Sequence, residues 1–201
     1  MLPRLLLTLL LLAPLTAGAA PTILILGDSL SAAYGLDQND GWVSLLERRL
    51  EQAGRPEQVV NASISGETTG GALARLPAEL ERHAPAIVVV ELGGNDGLRG
   101  MPLERMRRNL AGIIEACRAR GARVLLAGMR LPPNYGRAYT QGFEQTYATL
   151  AREHRIALIP FLLEGLDDGP AHFQADDIHP NREAQAVILE NVWKHLRPLL
   201  E

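Results

Sequence analysis

Cysteine and lysine each occur only once in the 201 residues, as Cys117 and Lys194. A single cysteine cannot form a disulfide within the chain, so the fold must depend on its hydrophobic core. The other basic residues are scattered arginines, and the net charge is −3. Because no basic face emerges, we expect no nucleic-acid partner. Cys117 falls on the apolar stripe of a predicted helix, which favours a buried, inert thiol over a nucleophile.

No apolar run is long enough for a membrane span, which needs about 20 such residues. The run Leu5–Leu15 follows the positively charged segment Met1–Arg4 and precedes the small residues Ala17-Gly18-Ala19. This order is typical of a signal peptide. We expect residues 1–19 to be cleaved, leaving one domain of residues 20–201 that is periplasmic or secreted. An uncleaved anchor or a buried N-terminal helix is the alternative interpretation.

Several common catalytic and binding motifs are absent. The sequence has no Gly-x-Ser-x-Gly elbow, no phosphate-binding Gly-x-x-x-x-Gly-Lys, no dinucleotide Gly-x-Gly-x-x-Gly and no zinc-binding His-Glu-x-x-His. Four histidines show no pairing at metal-ligand spacing: His83, His154, His172 and His195. We therefore expect neither a metal ion nor a cofactor.

Short apolar runs alternate with segments of helical periodicity along the whole mature chain. The runs are continuous rather than alternating, which is typical of parallel strands covered on both faces. We predict a single α/β domain, with a five-stranded parallel sheet between two helical layers. The predicted strands are Thr22–Leu26, Val59-Val60, Ile87–Val90, Val124–Ala127 and Ile156–Ile159. Pro77 is expected to interrupt the helix that ends near His83, and Pro180 to open the last helix.

Residues capable of chemistry follow the predicted strands, where ligands bind in such sheets. Ser29 follows the first strand and is the candidate nucleophile, since a serine hydroxyl becomes reactive when a base takes its proton. His179 is the candidate base. Asp176, three residues earlier, can reach the imidazole Nδ1 and complete a triad, and the adjacent Asp177 is the alternative acid.

Four segments together resemble the sequence blocks of the SGNH, or GDSL-type, hydrolase superfamily: Gly27–Ser31, Asn61–Thr68, Gly93–Asp96 and Asp176–Asn181. Longer stretches, Ile23–Ala32, Glu91–Pro102 and Ile178–Gln185, resemble the bacterial thioesterase I, lysophospholipase L1 and arylesterase group. The resemblance implies a flavodoxin-like fold and a Ser29–His179–Asp176 triad. It also implies three oxyanion donors: the Ser29 N–H, the Gly66 N–H and the Asn95 side-chain amide. The related esterases have glycine at the position of Asp177.

The resemblance implies a serine esterase that hydrolyses carboxylic ester and thioester bonds through an acyl-enzyme. Apolar residues beside the catalytic segments suggest an acyl groove: Leu30, Leu98, Met101, Leu131, Pro132, Tyr135 and Ile178. Export separates the enzyme from cytosolic acyl-CoA, so we expect small acyl esters, thioesters or lysophospholipids as substrates and a monomeric protein. The alternatives are an acyltransferase or a carbohydrate O-deacetylase with the same triad, or a silent lipid-binding homologue.

Overall fold

A parallel sheet forms the centre of the molecule. The computed structural model describes residues 20–166 and 171–201, and the predicted signal peptide, residues 1–19, lies outside the described residues. The strands are β1 (Thr22–Gly27), β2 (Gln58–Asn61), β3 (Ile87–Glu91), β4 (Arg123–Ala127) and β5 (Ala157–Ile159). Within these residues all pairings are parallel, in the order β2-β1-β3-β4-β5. The predicted five-stranded parallel sheet is confirmed.

Helices cover both faces of the sheet. They are α1 (Trp42–Gln52), α2 (Thr69–His83), α3 (Gly94–Leu98), α4 (Leu103–Ala119), α5 (Arg137–His154) and α6 (Ala184–Leu196). Helix α1 packs against α6, whereas α2, α4 and α5 pack in succession. Crossovers between parallel strands are right-handed. The chain moves across the sheet in one direction from β1 to β2 and in the opposite direction from β2 to β5, so the two groups of helices lie on opposite faces. No helix in the described residues is long and apolar enough to cross a membrane.

The core is centred on β1 and β3. Residues Ile23–Leu26 and Ile87–Val90 are at most 2% exposed, because both faces of these central strands are covered by helices. Cys117 on α4 is fully buried, and this burial raises the pKa of its thiol to about 12. The prediction of a buried thiol is confirmed.

Two proline-based predictions of helix boundaries are wrong. Helix α2 continues through Pro77, which is exposed, so water can satisfy the carbonyl group left without a helical partner. The last helix begins at Ala184 rather than at Pro180. The side chain of Asn181 accepts a hydrogen bond from the Ala184 N–H, which satisfies a donor at the start of α6.

Candidate active site

The strand order creates a crevice at the carboxyl ends of β1 and β3. Connections that leave these two strands lead to opposite faces of the sheet, which opens a gap between the loops. Ser29 lies directly after β1, and Asn95 lies in the first turn of α3, directly after β3. Asn95 Nδ2 donates a 3.0 Å hydrogen bond to Asp28 Oδ2 and so joins the two strand ends. Two of the predicted site segments therefore meet in the crevice.

Ser29, His179 and Asp176 form a continuous hydrogen-bonded series. Ser29 Oγ lies 3.0 Å from His179 Nε2, and His179 Nδ1 lies 2.6 Å from Asp176 Oδ2. If Nδ1–H donates to the carboxylate, Nε2 carries the lone pair that can accept the hydroxyl proton of Ser29. Chemically, the series can therefore activate the hydroxyl as a nucleophile.

Asp176, not Asp177, faces the imidazole ring. Its Oδ1 accepts the N–H groups of Ile178 and His179, both at 3.0 Å, while Oδ2 faces Nδ1. The hydrogen bond from the His179 N–H is the largest cause that lowers the pKa of Asp176 to about 2. Asp177 has a φ of +55°, a left-handed conformation that reverses the chain direction just before the histidine.

The loop that contains Gly66 is fixed beside both strand ends. The Ile64 N–H donates a 3.1 Å hydrogen bond to the carbonyl of Gly27, at the end of β1. Arg99 Nη2, just after α3, donates to the carbonyl of Gly66 at 3.0 Å. Gly66 has a φ of +78°, which a residue with a side chain would adopt only with strain. The backbone conformation at position 66 therefore favours glycine.

A largely apolar cavity of about 670 Å³ opens beside Ser29 and Asn95. Five of the seven predicted groove residues line it: Leu30, Leu98, Leu131, Pro132 and Ile178. Met101, Tyr135 and Gly66 are not among its lining residues. The Tyr135 hydroxyl instead donates a 2.9 Å hydrogen bond to the carbonyl of Leu98, so Tyr135 supports a residue of the lining.

The cavity extends beyond the predicted groove. Further apolar lining is contributed by Met129, Phe161, Leu163 and Phe173. Met129 follows β4 and Phe161 follows β5, so both are at the carboxyl edge of the same sheet as Ser29. The rule that ligands bind beyond the carboxyl ends of parallel strands also applies to these two residues, although they were not among the predicted groove residues.

The remaining histidines are not assembled into a metal site. In residues 20–166 and 171–201, no group of three or more His, Cys, Asp or Glu side chains is arranged to hold a metal ion. His83 instead faces Glu79 of the same helix, with 3.4 Å between Nε2 and Oε2.

Comparison with known proteins assigns the chain to a family. The model of the GDSL-like Lipase/Acylhydrolase family matches residues 25–187. Esterase TesA of Pseudomonas aeruginosa is 54% identical over 182 residues, which are 90% of each chain. Thioesterase 1/protease 1/lysophospholipase L1 of Escherichia coli is 46% identical over 184 residues, 92% of this chain and 87% of that one. The chain belongs to the GDSL-like lipase/acylhydrolase family.

A solved structure agrees with this assignment. The crystal structure of TesA superposes with a TM-score of 0.86 at 53% identity, covering 89% of this chain and 99% of the other. The resemblance to the SGNH hydrolases and the flavodoxin-like fold are thereby confirmed. As a GDSL-family protein with esterase and thioesterase relatives, the chain is an enzyme that hydrolyses ester bonds.

A buried carboxyl pair lies beside the turn that carries Ser29 in this GDSL-family site. Glu91, the last residue of β3, is 0% exposed, and Asp28 is 2% exposed. Glu91 Oε2 accepts the Ser31 hydroxyl at 2.8 Å and the Asp28 N–H at 3.3 Å. The Asp28 carboxylate accepts the Leu30 N–H at 3.1 Å, in addition to the Asn95 amide. The pair therefore connects the turn that carries Ser29 to the end of β3.

The two carboxyl groups lie in different surroundings, which affect their pKa values differently. Burial, followed by the charge of Asp28, raises the pKa of Glu91 well above its ordinary value. Burial also raises the pKa of Asp28, but donors from Leu30 and Asn95 stabilise its charged form. Glu91 Oε1 has no hydrogen-bond partner among the described residues. These surroundings therefore favour the protonated form at Glu91 more strongly than at Asp28. A glutamate at the end of an otherwise apolar strand was the sequence signal that could have identified this pair.

We predict that Glu91→Gln makes the protein more resistant to unfolding as pH rises. When the pKa of a carboxyl group is higher in the folded than in the unfolded state, its protonated form favours folding. This contribution to stability is present in full below the unfolded-state pKa and is lost as pH rises towards the folded-state pKa. Glutamine cannot ionise and avoids this loss. Between pH 5 and 8, the free energy of unfolding measured in urea should increase for the variant relative to the wild type by up to about 1.4 kcal/mol per pH unit.

The control for this prediction is Glu115→Gln, a substitution of an exposed glutamate on α4. Its unfolding free energy should stay parallel to that of the wild type over the same pH range. A constant difference between Glu91→Gln and the wild type from pH 5 to 8 would contradict the assignment of the proton to Glu91.

Proposed function

We propose that the protein is a serine esterase in which Ser29, His179 and Asp176 form a catalytic triad. The observation that carries this proposal is the series Ser29 Oγ–His179 Nε2 at 3.0 Å and His179 Nδ1–Asp176 Oδ2 at 2.6 Å. His179 takes the hydroxyl proton as Oγ attacks the acyl carbonyl carbon. It returns this proton to the departing alcohol or thiol, which leaves an acyl-enzyme. Water activated by His179 then releases the acid and restores the Ser29 hydroxyl.

Three groups are proposed to stabilise the oxyanion of the tetrahedral intermediate: the Ser29 N–H, the Gly66 N–H and the Asn95 amide. One hydrogen of Asn95 Nδ2 is bonded to the buried Asp28, which leaves the other for the oxyanion. Because Asp28 is held in turn by Leu30, the amide orientation is set before substrate arrives. Such preorganised donors stabilise developing charge without reorganising during the reaction.

The cavity beside Ser29 is proposed to hold the acyl chain. Its volume of about 670 Å³ and its leucine, proline and phenylalanine lining suit a medium or long aliphatic chain better than an acetyl group alone. We therefore propose acyl esters, thioesters and lysophospholipids as substrates, in preference to acetylated carbohydrates. All groups named here come from one chain, and we propose that the monomer is the active unit.

Replacing Ser29 and Asp176 tests the triad. Ser29→Ala should abolish both ester hydrolysis and labelling by a fluorophosphonate probe, because the nucleophile is lost. Asp176→Asn should lower kcat by about 10²- to 10⁴-fold, since the amide favours the wrong imidazole tautomer. Asp177→Asn should stay within about threefold of the wild type, because asparagine tolerates a left-handed backbone. Labelling that survives Ser29→Ala would overturn the proposal, and a larger loss in Asp177→Asn would reassign the acid.

Chain-length dependence tests the acyl site. Leu131→Ala should lower kcat/KM for decanoyl and longer p-nitrophenyl esters by about 5- to 20-fold, because apolar contact in the cavity is lost. The acetyl ester should change by less than about twofold. Met101→Ala is the control, since Met101 does not line the cavity. Equal chain-length profiles for the Leu131 and Met101 variants would place the acyl chain elsewhere.

We also propose that the enzyme acts outside the cytosol after removal of residues 1–19. The support is the order of a basic segment, an apolar run and the small residues Ala17-Gly18-Ala19. Periplasmic or secreted protein from a Gram-negative host should begin at Ala20, as shown by N-terminal sequencing. Substitution of Ala17 and Ala19 by bulky residues should retain the longer form, and an intact N-terminus in the wild type would contradict cleavage.

A further inference from the structure

The ring of Tyr34 lies against the imidazole of His179. The two ring centroids are 4.4 Å apart, with 37° between the ring planes. Tyr34 is one of three large hydrophobic residues in the described part of the chain that are about half exposed, at 50%. Because half of Tyr34 remains exposed, burial of apolar surface alone does not explain why its ring lies over the imidazole.

The backbone around Tyr34 is fixed on both sides of the ring. The Tyr34 N–H donates a 3.1 Å hydrogen bond to the carbonyl of Ser29. The Tyr34 carbonyl accepts a 2.8 Å hydrogen bond from Gln174 Nε2, which also donates to the carbonyl of Pro180 at 3.1 Å. The Gln174 N–H donates to the carbonyl of His179 at 2.8 Å. Gln174 thus connects the Tyr34 segment to the segment that carries the histidine.

The segment that carries Tyr34 adopts unusual backbone angles. Ala33 has a φ of +55° and Gly35 a φ of +74°. A Cβ atom at Gly35 would lie 2.2 Å from Gln174 Oε1, so a side chain there would collide with the connecting glutamine. Left-handed angles at an alanine persist only when surrounding contacts over-determine them. The contacts that do so here are those that present the tyrosine ring to the imidazole.

We propose that Tyr34 is a positioning residue for His179, whose ring holds the imidazole towards Ser29 and stabilises the imidazolium formed when the serine is deprotonated. This inference rests on the proposed triad. An aromatic face within about 6 Å attracts a cation through the ring quadrupole. The ring also restricts rotation of the imidazole, whose two nitrogens face Asp176 and Ser29.

Charge stabilisation by Tyr34 has a distinctive pH dependence. The charged groups that act on the imidazole are Asp176 on its own loop and the buried Asp28 at the end of β1. Where the imidazole of the resting enzyme is neutral, it becomes charged only in the transition state, and Tyr34 then contributes to kcat/KM. Where the resting imidazole is already protonated, it is charged in both states, and the contribution of Tyr34 cancels from kcat/KM.

The experiment compares Tyr34→Leu with the conservative variant Tyr34→Phe in p-nitrophenyl ester hydrolysis. At pH 8, kcat/KM of Tyr34→Leu should fall by about 3- to 10-fold, mainly through kcat, as expected for the loss of a cation–π contact. At pH 5 this deficit should largely disappear. Tyr34→Phe should match the wild type within about twofold at both values, because it keeps the aromatic face. Thermal unfolding shows whether each variant is folded, and Tyr34→Met replaces Tyr34→Leu if leucine prevents folding.

The outcomes separate this inference from the proposed triad. If Ser29→Ala and His179→Ala retain activity, the triad fails and the role of Tyr34 fails with it. If those variants are inactive while Tyr34→Leu equals the wild type at both pH values, only the role of Tyr34 is overturned. An equal deficit at pH 5 and pH 8 overturns the stabilisation of the imidazolium. A rise in KM with unchanged kcat also overturns the inference, because it would identify Tyr34 as a substrate contact.

Discussion

The parallel pairing of β1 with β3 is the constraint on which the site depends. The register aligns Gly27 with Glu91 at the carboxyl ends of the two strands, so the turns that follow begin side by side. Ser29 and Asn95 are brought together by this alignment, and the Asn95–Asp28 hydrogen bond joins the two turns. Reversal of the crossover direction around β1 leaves the space above them open for a substrate.

The site combines a buried half with a more exposed half. Asp28 and Glu91 lie in the core, where a lone carboxylate is costly and an asymmetric pair with one proton is tolerated. Asp176 and His179 lie on a loop, and the side chain of Asp176 is 39% exposed. The buried half fixes the turn that carries Ser29, whereas the exposed half carries His179. Contacts between the two halves therefore determine whether Ser29 and His179 remain aligned.

Prediction from sequence succeeded where burial is complete and failed where local signals compete. The central strands Ile23–Leu26 and Ile87–Val90 are continuous apolar runs because both faces are covered, so their positions could be read directly. Helix α3 received no prediction, since Gly94–Leu98 has the composition of a turn. The prolines at 77 and 180 gave wrong boundaries, because water accessibility at one and the side chain of Asn181 at the other determine where the helices run.

The sequence alone determined the family, the fold class and the set of candidate chemical groups, because short strands, helices and the blocks at their ends are local in the chain. The contacts between these groups were decided by the tertiary structure. It brings His179 to Ser29 across 150 residues and leaves Met101 outside the cavity. It also sets Tyr34 against the imidazole and Glu91 beneath Asp28. Such contacts depend on how distant segments pack, and no local spacing or composition encodes them.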